Sequence, residues 1–337
     1  MIVNPQQIGV HVKGVLAPVY LVFGDETLLV EESVDAIHHC ARSQGFDERR
    51  VYTVDPRFDW GQLTQDCHTG SLFSQRRVVE LRIANGRPGD VGGGVLTQWA
   101  EQPPEDILLL VVCGRLDKSA RQSRWFKALD GVGVNVPCWP VAEDKIPDWI
   151  GRRLKSRGLI AQPGVIEELA YYLSGNLLGI AQEIDKLDLL CPDRSIDLAT
   201  TRSSIADNAR FDVYALVDAC LLGQASKALR VIHNLRAEGT EPVLALWALR
   251  REVHALQAIA CEIAAGRSRA QVFKAHRVWS QRAPKVGAAL SRFSASAWLG
   301  MIQWVARLDR VLKGRRDGDI WLELERFSLR LCGLKPL

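Results

Sequence analysis

Apolar and polar positions change rhythm near residue 141. Before it, short apolar runs alternate with stretches at helical spacing; after it, only the helical rhythm continues. Residues 18–23 form a short apolar run that predicts a buried strand. Gly24 turns the chain into an amphipathic stretch at 28–44. Residues 50–54, 77–82 and 134–138 predict further strands, 60–67 a short helix, and 107–113 (ILLLVVC) the clearest buried strand. The glycine-rich stretch 86–94 reads as a loop. Apolar runs separated by helices predict a parallel sheet covered on both faces.

From residue 142 the spacing predicts helices at 146–157, 164–173 and 177–190, with Gly158 and Gly175 as C-caps. A break at Cys191-Pro192-Asp193-Arg194 closes a small helical segment. A third segment begins near Phe211 and predicts helices at 213–222, 225–236, 242–264, 269–274, 295–313 and 320–331. The fold class is therefore an α/β domain at 1–141 followed by two all-helical domains, at 142–210 and 211–337.

The turn at the end of the first strand bears on function. A phosphate-binding turn of the type G-x-x-x-x-G-K-[ST] holds its anion with bare amides and a lysine. Here the turn is Gly24-Asp25-Glu26-Thr27, with one glycine, no lysine and two carboxylates where an anion would sit. Beside a helix N-terminus those carboxylates are adequately explained by the helix dipole, worth about 0.3–1 kcal/mol.

The chain has 337 residues, 47% hydrophobic and 24% charged, enough for two or three cores. It contains no membrane-length apolar run, and its N-terminal residues lack a signal-peptide pattern, so a cytoplasmic location is expected. Eight scattered cysteines include no C-x-x-C and suit buried free thiols rather than a metal site; no cofactor is expected. His38, His39 and Cys40 are sequence neighbours that a helix points apart. The net charge of +4 is unevenly spread: residues 1–141 carry 14 Lys+Arg against 17 Asp+Glu, 142–210 carry 9 against 11, and 211–337 carry 20 against 11. A basic C-terminal third suggests contact with a polyanion.

Four stretches, in order along the chain, resemble the delta subunits of bacterial DNA polymerase III clamp loaders. They are Tyr20-Leu21-Val22-Phe23-Gly24-Asp25-Glu26; Ser71-Leu72-Phe73; Ser174-Gly175-Asn176-Leu177 with Glu183-Ile184-Asp185-Lys186-Leu187; and residues 211–218 (FDVYALVD) with 241–252 (EPVLALWALRRE). The resemblance implies an AAA+-like α/β domain, a helical lid and a helical collar that joins subunits into a ring. It implies a subunit that opens the beta sliding clamp on primed DNA without hydrolysing ATP, beside gamma/tau and delta prime subunits. Such a subunit belongs to a nucleotidyltransferase holoenzyme without an activity of its own. The delta prime subunits typically carry a cysteine zinc module and a Ser-Arg-Cys motif, and neither occurs here. The other readings are an active AAA+ ATPase, opposed by the missing lysine, and a stand-alone DNA-binding helical protein, which leaves residues 1–141 without a role.

Leu72 and Phe73, between Gly70-Ser71 and the polar run Ser74-Gln75-Arg76-Arg77, are by residue type core side chains. By resemblance they form an exposed wedge for the clamp, the kind of apolar anchor that dominates interface energy. Residues 263–308 contain eight cations and no carboxylate. Among them Lys274, Arg277 and Arg282 are expected to meet DNA phosphates, and Trp279 resembles a collar tryptophan that contacts the template strand. Two further charged stretches, residues 118–124 (KSARQSR) and 315–319, read as solvated turns.

Overall fold

The computed structural model describes residues 1–68, 76–173, 175–206 and 209–335. Packing divides the chain into two units, Met1–Ala142 and Glu143–Leu337.

The first unit is built on five parallel strands: β1 (Val19–Gly24), β2 (Glu48–Thr53), β3 (Arg77–Ile83), β4 (Ile107–Cys113) and β5 (Val134–Cys138), in the spatial order β2-β3-β4-β1-β5. α1 (Ile8–His11) precedes them, and between them run α2 (Thr27–Ser43), α3 (Trp60–His68), α4 (Gly89–Glu101), α5 (Lys118–Gln122) and α6 (Arg124–Val132). Strands β1 and β4 lie side by side in register, Val19 against Leu109 through Phe23 against Cys113. Both are almost wholly buried because helices cover both faces, which is why the apolar run at 107–113 is unbroken. Each fully buried Val or Leu there contributes about 1.5–3 kcal/mol. The edge strand β2 instead alternates half-buried and exposed positions. The other edge, β5, is covered by the start of the chain: the Val3 amide donates to the Asn135 carbonyl and the Asn135 amide to the Met1 carbonyl, both at 2.8 Å.

The strands match the sequence expectation. The glycine-rich stretch does not, since α4 begins at Gly89 and runs through Gly92, Gly93 and Gly94. A Cβ on Gly92 would lie 2.3 Å from the Trp60 ring, so the missing side chain lets α4 approach α3 closely. That packing outweighs glycine's low helix propensity, about 1 kcal/mol per residue.

A buried carboxylate is held inside this unit. Glu80, in the middle of β3, has no solvent exposure. It accepts from His38 Nε2 at 2.6 Å, Arg49 Nη2 at 2.8 Å and Arg82 Nε at 2.6 Å. His38 is thus a partner of β3 rather than a bystander on α2. Cys40 Sγ turns elsewhere, to the Val12 carbonyl at 2.7 Å.

The second unit is helical: α7 (Ile146–Ser156), α8 (Val165–Tyr172), α9 (Leu177–Leu190), α10 (Leu198–Ala206), α11 (Ala209–Leu221), α12 (Ala225–Ala237), α13 (Pro242–Ala264), α14 (Arg269–Ala275), α15 (Ala283–Arg292), α16 (Ala295–Leu312) and α17 (Ile320–Leu331). A two-residue parallel ladder joins β6 (Ile160–Ala161) to β7 (Ser195–Ile196). The long α13 is the axis of this unit, packed on α16 and α11, and Trp298 of α16 and Phe327 of α17 are fully buried. Helix α15 falls where no helix was expected.

Glu80 gives the first unit an acid-sensitive component. Burial raises its carboxyl pKa, but hydrogen bonds from His38, Arg82 and Arg49 outweigh that and bring it down to about 2, from 4.5. A depressed pKa stabilises the fold above pH 4.5, and that contribution fades as pH falls from 4.5 toward 2. Urea unfolding should show Glu80→Gln less stable by about 2 kcal/mol near neutral pH, with the deficit shrinking near pH 3. A deficit that is constant with pH would show that the charge of Glu80 is not what matters.

Candidate functional site

The strand-to-helix turn is short and closed. β1 ends at Gly24 and α2 begins at Thr27, so two residues make the whole connection. Gly24 has φ of 152°, and a Cβ there would lie 1.9 Å from the Cys138 carbonyl oxygen; only glycine fits. The Glu26 amide donates to that same carbonyl at 3.2 Å. Asp25 is 3.4 Å from Arg115. The Glu26 carboxyl pKa is raised, first by burial and further by the neighbouring Asp25 charge, against a backbone hydrogen bond from Leu28 that lowers it. Two carboxylates and one closed amide make a poor seat for a polyphosphate.

Leu72 and Phe73 lie outside the described residues. The flanks of their segment are anchored. Arg77 is buried and donates to the Cys67 carbonyl at 2.7 Å, tying the start of β3 to the end of α3. The Arg76 guanidinium sits 4.7 Å from the Phe46 ring centre.

The four expected DNA-binding residues are placed very differently from one another. Lys274, in the last turn of α14, is exposed, and its side chain has no partner among the described residues. Arg277 follows the helix in the left-handed region, φ 52°, where glycine is usual. The Val278 amide closes that end on the Phe273 carbonyl at 2.8 Å. The Arg277 side chain is exposed but donates to the Asp144 carbonyl and lies 3.8 Å from its carboxylate. Trp279 is half-buried, its ring edge-on to Tyr171 at 5.4 Å.

Arg282 departs from the expectation of a surface cation. It is 8% exposed, ion-paired with the buried Glu252, and stacked 3.8 Å from the Tyr171 ring centre. Burial works against its charge, but Glu252 and the Tyr171 oxygen outweigh it and hold the guanidinium pKa above the usual range. In its present place Arg282 cannot reach a DNA phosphate.

The rest of the carboxylate-free stretch is also less available than its count implies. Arg267 pairs with Glu262 and Lys285 with Asp218, and Arg292 donates to the Cys220 and Leu221 carbonyls. Arg269 and Arg307 lie over Phe273 and Trp304, at 5.0 and 5.5 Å.

Around Arg282 the structure assembles a cluster that residue spacing did not reveal. Tyr171 and Tyr172 come from α8, Tyr214 from α11, and Trp247, Arg251 and Glu252 from α13. Tyr171 packs on Tyr214 at 4.8 Å, and Arg251 donates to the Tyr214 hydroxyl at 3.1 Å. Asp218 accepts from Lys285 and, at 3.4 Å, from the Tyr172 hydroxyl. Residues 211–218 and 241–252, which carry much of the family resemblance, therefore meet at one joint. The third motif is also structural where it is described: Asn176 caps α9 by accepting from the Gly179 amide at 3.0 Å, and buried Glu183 bonds Ser204 of α10.

Comparison with known proteins agrees with this layout. Residues 20–138 match the family model described as DNA polymerase III, delta subunit. Residues 213–337 match one described as processivity clamp loader gamma complex DNA pol III C-term. The chain is similar to DNA polymerase III subunit delta of Escherichia coli (strain K12), 34% identical over 333 residues, covering 99% of this chain and 96% of the relative. It is 28% identical to the Haemophilus influenzae protein of the same description over 339 residues, covering 97% of this chain and 98% of that one. The solved structure of the Bacillus subtilis DNA clamp loader delta protein has a similar fold, with a TM-score of 0.58 at 20% identity over 97% of this chain and 99% of that one.

The buried pair yields a test that separates a structural Arg282 from a DNA-contacting one. Arg282→Met leaves Glu252 buried without a partner and should cost about 3–5 kcal/mol in urea unfolding, much of it regained by adding Glu252→Leu. If Arg282→Met unfolds like the wild type and only DNA affinity drops, the arginine acts at the surface after all.

Proposed function

Because the chain belongs to the DNA polymerase III delta-subunit family, we propose that it is the clamp-opening subunit of its loader. It grips the beta sliding clamp with Leu72 and Phe73 and opens the ring without turning over ATP. In this reading the α/β unit holds the clamp, residues 142–210 act as a lid, and residues 211–337 form the collar that joins gamma/tau and delta prime subunits. Lys274, Arg277 and Trp279 meet primed DNA there, while Arg282 supports Trp279 from behind through Tyr171.

One observation carries the division of labour. The turn at Gly24 has the strand-to-helix position of a nucleotide site, yet it is two residues long and bears Asp25 and Glu26 in place of a lysine. Length and charge both oppose phosphate binding, so the energy for opening the ring comes from ATP on sibling subunits. Leu72 and Phe73 supply the complementary half of the argument. An apolar pair is the side-chain chemistry that wedges into an apolar pocket on a partner.

Two measurements check this. Leu72→Ala with Phe73→Ala should abolish capture of a sliding clamp in a pull-down while leaving the thermal midpoint unchanged; a double variant that unfolds instead would place the pair in the core. The isolated wild-type chain should bind no ATP in equilibrium dialysis, and binding at physiological nucleotide levels would return the ATPase reading to favour.

A further inference from the structure

Three helix C-termini of the second unit meet around two cysteines and one arginine that the proposed function leaves without a role. Cys220 stands in the last turn of α11, Arg292 is the last residue of α15, and Cys332 follows α17 as its C-cap. Both cysteines are buried, Cys220 completely and Cys332 at 7% exposure. Each sulfur reaches across to the other's helix. Cys220 Sγ points to the Ser328 carbonyl, one turn before Cys332, at 3.7 Å; Cys332 Sγ points to the Ala219 carbonyl, next to Cys220, at 4.0 Å. The two thiols are also hydrogen-bond partners of one another.

Arg292 is fixed beside them by backbone carbonyls. Its Nη2 donates to Cys220 at 3.1 Å and to Leu221, and its Nε to Ala288 at 3.2 Å. Gly223 leaves the space it needs: a Cβ there would lie 2.8 Å from Arg292 Nη1 and 3.4 Å from the Cys332 carbonyl oxygen. Nη1 is buried without a hydrogen bond among the described residues. A cation with an unspent donor beside two thiols favours a thiolate. Ionisation falls to Cys332, whose pKa is lowered first by the hydrogen bond from Cys220 and further by Arg292, against the effect of burial. Cys220, bonded to Cys332 and fully buried, is pushed well above its ordinary value. Other thiols lack this setting: burial pushes Cys67 and Cys138 up to about 11 and Cys113 up to about 12.

We propose that Cys220 and Cys332 are an oxidation site, a dithiol that a hydroperoxide converts to a disulfide tying the end of α17 to α11. Cys332 is the attacking sulfur. Its thiolate takes one oxygen of hydrogen peroxide, the O–O bond breaks, and the departing hydroxide leaves as water with the proton that Cys332 gave up. The Cys220 sulfur then attacks the sulfenic acid on Cys332. The S–O bond breaks, and the leaving oxygen takes the Cys220 proton as a second water. The two thiols lose two electrons and the peroxide gains them. A metal ion is the other ligand that paired thiols suit, and the guanidinium opposes a cation there. No group of three His, Cys, Asp or Glu fit to hold a metal occurs among the described residues. The inference is independent of the clamp-opening reading, since it concerns how the helical unit is held together.

The test uses the full chain, reduced and then exposed to a small excess of hydrogen peroxide. After alkylation and proteolysis without reductant, mass spectrometry of the monomeric chain should find the Cys220 and Cys332 peptides joined, and dithiothreitol should separate them. The bond closes a long loop, residues 220–332, so the oxidised chain should have a thermal midpoint higher by about 5 °C or more. Cys220→Ala should leave Cys332 as a sulfenic acid that dimedone labels, while Cys332→Ala should leave Cys220 unlabelled. The wild-type mapping stands even where a variant does not fold. Peroxide-treated wild type in which both residues are still alkylated while Cys261, exposed on α13, is oxidised overturns the proposal. So does a joined peptide with a lowered thermal midpoint, which would mean that the two sulfurs meet only after the helices separate.

Discussion

The helical unit depends on a charge it has buried. A guanidinium removed from water is tolerated only with a partner and satisfied hydrogen bonds, and the penalty for leaving it alone is several kcal/mol. Arg282 finds its partner in Glu252 of α13 and lies 3.8 Å from the ring centre of Tyr171 of α8, although its Nη1 atom is buried without a hydrogen bond among the described residues. Because the partners come from helices far apart in sequence, the pairing forms only when α8, α13 and the 277–282 connector are all in place. Tyr214 and Arg251 bring α11 into the same arrangement. Packing therefore runs continuously across residue 210, and the two helical segments distinguished by sequence rhythm behave as one compact unit. Trp279 inherits its position from this joint, because the ring it leans on is the one the guanidinium covers.

The α/β unit is governed by a different constraint, the closeness of β1 and β5. Their pairing carries Gly24 against Cys138, near enough that any side chain at Gly24 would collide with the strand. The connection from Gly24 to α2 is only two residues long, whereas a phosphate cradle needs both length and free amides. The carboxylates of Asp25 and Glu26 then add electrostatic opposition to a geometric one. A sheet of this order can hold its helices and present its loops whether or not a nucleotide is bound, so losing the cradle does not threaten the fold.

What could be read from the sequence follows from where each signal resides. The strands were legible because a parallel sheet covered on both faces demands unbroken apolar runs, as in 107–113. Helix α4 was not, because its glycines argue locally for a loop, and the compensating packing is with Trp60, some thirty residues earlier. Arg282 was misjudged for the same reason: its type places it at the surface, and Glu252 lies thirty residues away. The turn at Gly24 was legible because its single glycine, its two carboxylates and its lack of a lysine are written in consecutive residues. Residues 211–218 and 241–252 were recognisable as motifs, but their meeting at the Tyr171–Arg282 joint required the fold.

Counting charges proved a poor guide to where the field of this protein emerges. The stretch 263–308 has eight cations and no acid, yet Arg267, Arg277, Arg282 and Lys285 are each matched by a carboxylate from outside the stretch. Residues 1–141 are net acidic, yet Glu80 is surrounded by three basic side chains. A matched pair contributes only a dipole, whose field falls off faster than that of a free charge and is largely gone within a Debye length of about 8–10 Å. Unmatched exposed charges set the field that an approaching polyanion feels. By that measure the field of residues 263–308 is concentrated at Lys274 and a few arginines lying over aromatic rings. The exposed cations Lys118, Arg121, Arg124 and Lys127 of α5 and α6, unmatched among the described residues of an acidic unit, are the sharper electrostatic feature. An approaching polyanion thus meets the charges left unpaired among the described residues, which are a different set from those the sequence makes conspicuous.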